Sequence, residues 1–338
     1  MHSRTKVALD RADLETVVRE VLGTGSPVVR VDDLTDGMFN TASVITLADG
    51  TQAVLKVAPP PDVPLLTYER DLMRAEIDFY QRVAGVVAVP AVLGTDLSRS
   101  RVPRDLFLME RLHGRPLRSL RRSLPAADRA AVQHELGALV GRLRAVTGTR
   151  FGYDRPDGAL CADTWPEAFR LMMAAVLDDA ERFGVRLPRS REQVLALVDA
   201  ATPALAAVRE PVLTHFDLWE GNVFVVPHQG GHHIEAVVDG ERAFWGDPLA
   251  ELVSTSLFTD PRRATDFLAG LAEATGRPLV FTPEVQTRLG LYRAYLCTVM
   301  AVEGVPRGYR GAEAFATRRF ALWRLRAELR AVERLVRG

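Results

Sequence analysis

Apolar positions along the chain change rhythm about a third of the way through. Residues 11 to 22 carry a helical pattern. "PVVRVDDL", "NTASVITLADG" and "TQAVLKVAP" then read as β-rich runs, the last two joined by Asp49-Gly50, a hairpin-type turn pair. Three prolines, Pro59 to Pro61, end that sheet segment. "YERDLMRAEIDFYQRVAG" returns to helical spacing, with Met73, Ile77 and Tyr80 on one face and Glu76 beside them. "DLFLMERL", 105 to 112, has the unbroken apolar run of a buried strand. Beyond it Val132, Leu136, Leu139, Val140 and Leu143 mark a long amphipathic helix. Further helical patterns cover about 165–184 and 191–208, and nearly everything after 248. Strands gathered early and helices gathered late predict an α+β protein with a mostly helical second half.

Composition narrows the class. With 338 residues, 47% of them apolar, the chain can bury a sizeable core as one large domain or two lobes. Acidic and basic residues balance at 43 each, so no global field recruits nucleic acid or an anionic membrane. No apolar run reaches the ~20 residues of a membrane span, and the charged start does not resemble a signal peptide. Cys161 and Cys297 lie far apart, which fits two core thiols in a reducing compartment rather than a disulfide framework. These features predict a cytoplasmic protein, monomeric or weakly dimeric, with no nucleic-acid or membrane partner.

Polarity concentrates in "LTHFDLWEGNVFVV", where His215, Asp217 and Asn222 form H-x-D-x-x-x-x-N directly before a strand. The Pro- and Gly-rich "PHQGGHH" joins that strand to "IEAVVDG" as a β-hairpin, which brings Asn222 and Asp239 close together at its open end. Hard oxygen ligands that leave positions for water and phosphates suit Mg2+, and a third group, Asp217, could accept a hydroxyl proton. Lys56 is conspicuous as one of only two lysines, and it sits in the apolar strand "AVLKV". Its ammonium must reach water or meet anionic partners.

Together "GMFN", "AVLKV", Glu76, "LFLMERLHG", "HFDLWEGN" and "VVDGERAFWGDPLAEL" resemble the aminoglycoside phosphotransferase and fructosamine kinase group of small-molecule kinases. The resemblance implies a protein-kinase-like two-lobed fold, divided here into a nucleotide-binding lobe at 1–110 and a catalytic and acceptor-binding lobe at 111–338. It makes Asp217 the catalytic aspartate, and Asn222 and Asp239 the ligands of Mg2+. His215 becomes a brace for the loop. Lys56 would hold the α and β phosphates of ATP, with GTP left open, and pair with Glu76. Glu69 is the alternative partner; Glu76 is preferred because it falls on the apolar face of its helix. Gly37 and Asn40 belong to a reduced phosphate loop that lacks G-x-G-x-x-G. Met109 becomes the gatekeeper of a hinge in which the Glu110 carbonyl and the Leu112 amide read the adenine edge.

The implied activity is transfer of the γ-phosphate to a hydroxyl of a small molecule. An antibiotic acceptor, serving resistance, is the first expectation; a metabolic kinase of sugar amine, choline or homoserine type is the alternative. A kinase-like binding protein without turnover would be free to lose base or metal residues, and none is missing. Only "GERAFWG" separates Asp239 from Asp247, leaving no room for a peptide-docking activation loop. Asp247 and Pro248 read as a helix cap and first turn. Asp178, Asp179, Glu181, Asp260 and Glu303 could meet a cationic acceptor, or form a solvated acidic face. Trp165 and Phe169 could line its pocket, although core packing suits them better. His228, His232 and His233 read as a solvated hairpin tip rather than a metal site.

Overall fold

The computed structural model describes residues 3–34, 39–256 and 259–337. Helix α1 (Arg11–Leu22) starts where the Asp10 side chain accepts the Asp13 N–H and stops at Gly23, whose φ of 61° closes the last turn. Strands β1 (Val28–Leu34), β2 (Thr41–Leu47) and β3 (Gln52–Val57) follow, then α2 (Leu72–Val83), β4 (Val92–Asp96) and β5 (Leu106–Glu110). They form an antiparallel sheet in the order β1-β2-β3-β5-β4. The β2–β3 turn at Asp49-Gly50 places Gly50 at φ 86°, as its residue pair predicts.

Strand β5 explains the unbroken apolar run in the sequence. Leu106 and Leu108 pack with Leu14, Val17 and Val18 of α1, while Phe107 and Met109 join Met73, Ile77 and Tyr80 of α2 in the main core. Alternate side chains thus enter two different cores, so both faces must be apolar.

The chain then crosses to the helical region through β6 (Arg115–Pro116), α3 (Leu117–Leu120) and α4 (Ala126–Leu143). Two short strands, β7 (Phe151–Gly152) and β8 (Cys161–Ala162), precede α5 (Trp165–Arg182), α6 (Arg191–Ala200) and α7 (Thr202–Leu205). The 191–208 pattern is therefore two helices rather than one, interrupted just before Pro203, which sits at the start of α7. Strand β9 (Val212–Thr214) leads to the hairpin β10 (Val223–His228) and β11 (Gly231–Val237), and β12 (Phe244–Gly246) pairs with β9. Helices α8 (Glu251–Thr255), α9 (Thr265–Thr275), α10 (Pro283–Val302) and α11 (Ala312–Arg337) complete the lobe.

Helix α10 is apolar on nearly every side and lies in the centre of the lobe, as such a helix must. Helices α4 and α9 touch backbone to backbone: a Cβ on Gly137 would stand 1.9 Å from the Phe267 carbonyl oxygen. Only glycine allows that approach. Trp165 and Phe169 are fully buried among Phe244, Tyr292 and Tyr295, so they are core and not pocket wall. Cys297 is buried, but Cys161 is only half-buried and donates its thiol to the Tyr153 carbonyl at 2.7 Å. No helix among the described residues is long and apolar enough to cross a membrane.

Candidate active site

The H-x-D-x-x-x-x-N segment is held from below by carboxylate and imidazole. Both oxygens of buried Glu251, on α8, accept backbone N–H groups, from His215 and, at 3.2 Å, from Phe216. That grip keeps Phe216 at φ 62°, a left-handed conformation costly for a bulky residue. Completely buried His215 accepts the Asp217 N–H at Nδ1 (3.2 Å) and so donates from Nε2 to the Val238 carbonyl (3.0 Å). Burial lowers its pKa to about 4, with the Val238 contact opposing. It is a neutral brace, as the sequence predicts.

Asn222 directs its side-chain amide N–H to the Asp217 backbone carbonyl at 2.9 Å, and its backbone carbonyl accepts the Val238 N–H at 2.9 Å. The amide oxygen makes no hydrogen bond among the described residues. Hairpin pairing of Val223 with Val237 sets Asn222 and Asp239 at the same end of the two strands. Asp239 also takes a left-handed φ, 70°, and donates its N–H to the Tyr80 hydroxyl at 2.9 Å; that hydroxyl donates to Glu76 at 2.8 Å.

Lys56 stands between the acidic groups. Its Nζ lies 2.7 Å from both oxygens of Glu76 and 2.7 Å from Asp239 Oδ1. Burial acts to discharge the ammonium, but Asp239 and Glu76 together raise its pKa. Lys56 in turn keeps Asp239 below its usual range against burial, while burial prevails at Glu76 and raises it. Glu76, not Glu69, is the partner of Lys56. Glu69 lies in a turn before α2 and pairs instead with Arg307.

A residue not singled out in the sequence joins this group. Glu241 is buried, accepts the Asn40 amide N–H at 2.8 Å, and has its pKa pushed well up by burial and by Asp239. Ligand oxygens of Glu76, Asp239 and Glu241 lie within 4.8 Å of one another. Its position two residues after Asp239, across Gly240, was the available signal. Asn40 thus reaches the acidic cluster from the start of β2, whereas Gly37 lies outside the described residues.

Asp217 keeps 24% of its side chain open, with Oδ2 3.9 Å from Arg242 Nε. Burial raises its pKa to about 7, with Arg242 opposing. Arg242 is held at 2.9 Å by Glu303, and Glu303 also meets Arg307 at 3.2 Å. Three of the other acidic candidates are committed elsewhere: Asp178 to Arg191, Asp260 to Arg262, and buried Asp179 to Thr67 and Arg182; Glu181 is exposed. Met109 is buried, and Glu235 of β11 receives the N–H groups of His113 (3.0 Å) and Gly114 (2.7 Å). The Leu112 N–H has no hydrogen-bond partner among the described residues. His232 bonds Asp128 at 2.6 Å, and Asp247 caps the turn of Pro248 by accepting the Leu249 N–H at 3.0 Å.

A β-rich first lobe, a helical second lobe and a lysine–carboxylate site between them define the protein-kinase-like class of α+β fold. The family model of the phosphotransferase enzyme family, APH, matches residues 33–285, and the chain belongs to that family. Solved structures agree on the fold. A protein of Thermobifida fusca assigned as a fructosamine-3-kinase aligns with a TM-score of 0.65 at 23% identity, over 94% of this chain and 98% of that one. The streptomycin–ATP–APH(2")-IIa ternary complex gives 0.58 at 14% identity, over 96% and 99%. Macrolide 2'-phosphotransferase MphH of Brachybacterium faecium gives 0.56 at 20%, over 93% and 97%. No curated protein matches the sequence.

Proposed function

We propose that this phosphotransferase moves the γ-phosphoryl group of ATP to a hydroxyl of a small molecule, with Asp217 as the proton acceptor. The observation that carries the proposal is the Lys56 ammonium held at 2.7 Å from both Glu76 and Asp239. It is a fixed point charge of the kind that the phosphates of a nucleotide need. Residues 1–110 form the nucleotide-binding lobe and 111–338 the catalytic and acceptor-binding lobe in this reading. Adenine lies against the hinge at Met109, Glu110 and Leu112, where the unpaired Leu112 N–H is a ready donor. Asn40, beside the acidic cluster through Glu241, faces the phosphates in this reading.

The acidic cluster fits Mg2+. Carboxylate oxygens of Glu76, Asp239 and Glu241 lie within 4.8 Å of one another, with the Lys56 ammonium paired to the first two, and the Asn222 amide is turned so that its oxygen is free to ligate. Asn222 and Asp239 are the proposed ligands, with Glu241 beside them. When bound, the ion supplies neutralisation of the phosphate charge. Asp217 orients the acceptor hydroxyl and takes its proton as the hydroxyl oxygen bonds the γ-phosphorus and the bond from that phosphorus to the departing ADP breaks. Its raised pKa makes it a better base than an ordinary aspartate at neutral pH. Lys56 holds the nucleotide phosphates in line with that hydroxyl.

The acceptor is a small hydroxylated molecule, antibiotic or metabolite, and not a protein. Between Asp239 and Asp247 the chain makes one turn of helix and the short strand β12, with no platform for a peptide. Pairing of Asp178, Asp179, Asp260 and Glu303 with arginines weighs against a polycationic acceptor. Two free thiols suit a cytoplasmic enzyme. Incubation with labelled ATP, Mg2+, generic protein substrates and a panel of aminoglycosides, macrolides, nucleosides and sugars tests the proposal. Labelled small molecule is expected; labelled serine or threonine in protein with no small molecule modified would overturn it.

A further inference from the structure

The segment between β3 and α2 leaves the sheet and fastens to the helical lobe. Thr67 donates its N–H to Asp179 Oδ2 at 2.6 Å and its hydroxyl to Asp179 Oδ1 at 2.9 Å. Arg182, bound to the same carboxylate at 2.6 Å, donates to the Leu65 carbonyl at 2.7 Å. Arg155 takes the Thr67 carbonyl, and Tyr68 stacks on Tyr153 with centroids 5.6 Å apart. Two residues on, Glu69 accepts from Arg307. Asp179, Glu69 and Arg307 are each at least 98% buried. Asp71, at φ 60°, then turns the chain directly into α2, whose second turn presents Glu76 to Lys56.

We propose that Asp179 and Glu69 are positioning residues: they latch the β3–α2 connector to the helical lobe and thereby hold α2, and with it Glu76, against Lys56. Burying two carboxylates is costly unless each is paired and hydrogen-bonded, and neither touches the nucleotide or acceptor side chains assigned above. Their charge is spent on backbone and guanidinium groups of segments far apart in the chain. Such bonds fix where the connector lies, and α2 begins one residue after it ends. The Glu69 anchor also reaches the catalytic side, since Arg307 continues through Glu303 and Arg242 to Asp217. The connector therefore sets the distance between the two halves of the site.

The latch rests on the proposed role of Lys56 in nucleotide binding only for its effect on affinity; its hold on α2 is separable. Asp179→Asn, Glu69→Gln and the milder Thr67→Val test it in the full chain, with two readouts: hydrogen exchange over residues 72–83, and affinity for a non-hydrolysable ATP analogue with Mg2+. The charge variants should speed α2 exchange and weaken the analogue on the order of tenfold, with exchange in α10 unchanged. Thr67→Val, which keeps both carboxylates, should shift both readouts in the same direction and less. In a Lys56→Ala background the affinity loss should vanish. Unaltered α2 exchange in folded variants whose melting temperature alone falls would overturn the latch. If the wild-type chain binds no nucleotide, the functional proposal fails, and α2 exchange still decides the latch.

Discussion

Arg242 Nε faces Asp217 Oδ2 across 3.9 Å, too far for a hydrogen bond, and this buried N–H has no other acceptor among the described residues. The guanidinium acts on Asp217 through its charge, against the burial that raises the carboxyl to about 7. Arg242→Gln should therefore move that pKa further up. The acid limb of the kcat/KM profile should shift to higher pH, which a pH series with a productive acceptor measures; an unmoved limb would separate Arg242 from the base.

Asp217→Asn should cost roughly 10² to 10⁴ in kcat while sparing nucleotide affinity, because it removes the proposed proton acceptor and keeps the shape of the site. The same change should stabilise the fold. An aspartate with its native pKa raised to about 7 binds its proton more readily folded than unfolded. Its contribution is most favourable below the usual aspartate range and is lost as pH rises through 7. The variant should melt above wild type at pH 8, and the gap should close toward pH 4. Equal melting temperatures at pH 8 would contradict the raised carboxyl.

Metal dependence should divide the acidic cluster from the lysine. Asp239→Asn should abolish turnover at any practicable Mg2+ concentration, and Glu241→Gln should raise the Mg2+ needed for half-maximal rate. Lys56→Ala should chiefly weaken ATP. Rate measurements over a Mg2+ by ATP grid distinguish them, and wild-type metal dependence in the Asp239 variant would remove that residue from the site.

Gly240 carries a steric requirement: a Cβ there would stand 2.4 Å from Phe79 Cδ1 on α2. Gly240→Ala should cost about 1 to 3 kcal/mol through overpacking, and it should weaken ATP by displacing the helix that carries Glu76. Thermal melting and nucleotide titration check both effects; a variant as stable as wild type would show that Phe79 yields freely.

What the sequence determined by itself was local or nearly so. The β-rich runs of β2 and β3, the hairpin turn that makes Asn222 and Asp239 neighbours, and the helical face carrying Glu76 all follow from local residue preferences and the 3.6-residue helical period. The motif order added the family, and with it the pairing of Lys56 with Glu76. Tertiary structure alone decided the partners that span the chain. Glu69 meets Arg307 across 238 positions and Thr67 meets Asp179 across 112. Nothing in a local pattern encodes such pairs. Adjacent acids on α5 make the same point: successive helical residues point about 100° apart, so Asp178 reaches Arg191 at the surface while Asp179 turns inward to the connector. Sequence could place both on one helix, but which of them faced the core depended on where the rest of the chain packed. Glu251, Glu235 and Glu241 were hidden for the same reason. Each is an ordinary carboxylate until the fold brings it to the backbone of His215 and Phe216, to the backbone of His113 and Gly114, or to the carboxylates beside Lys56.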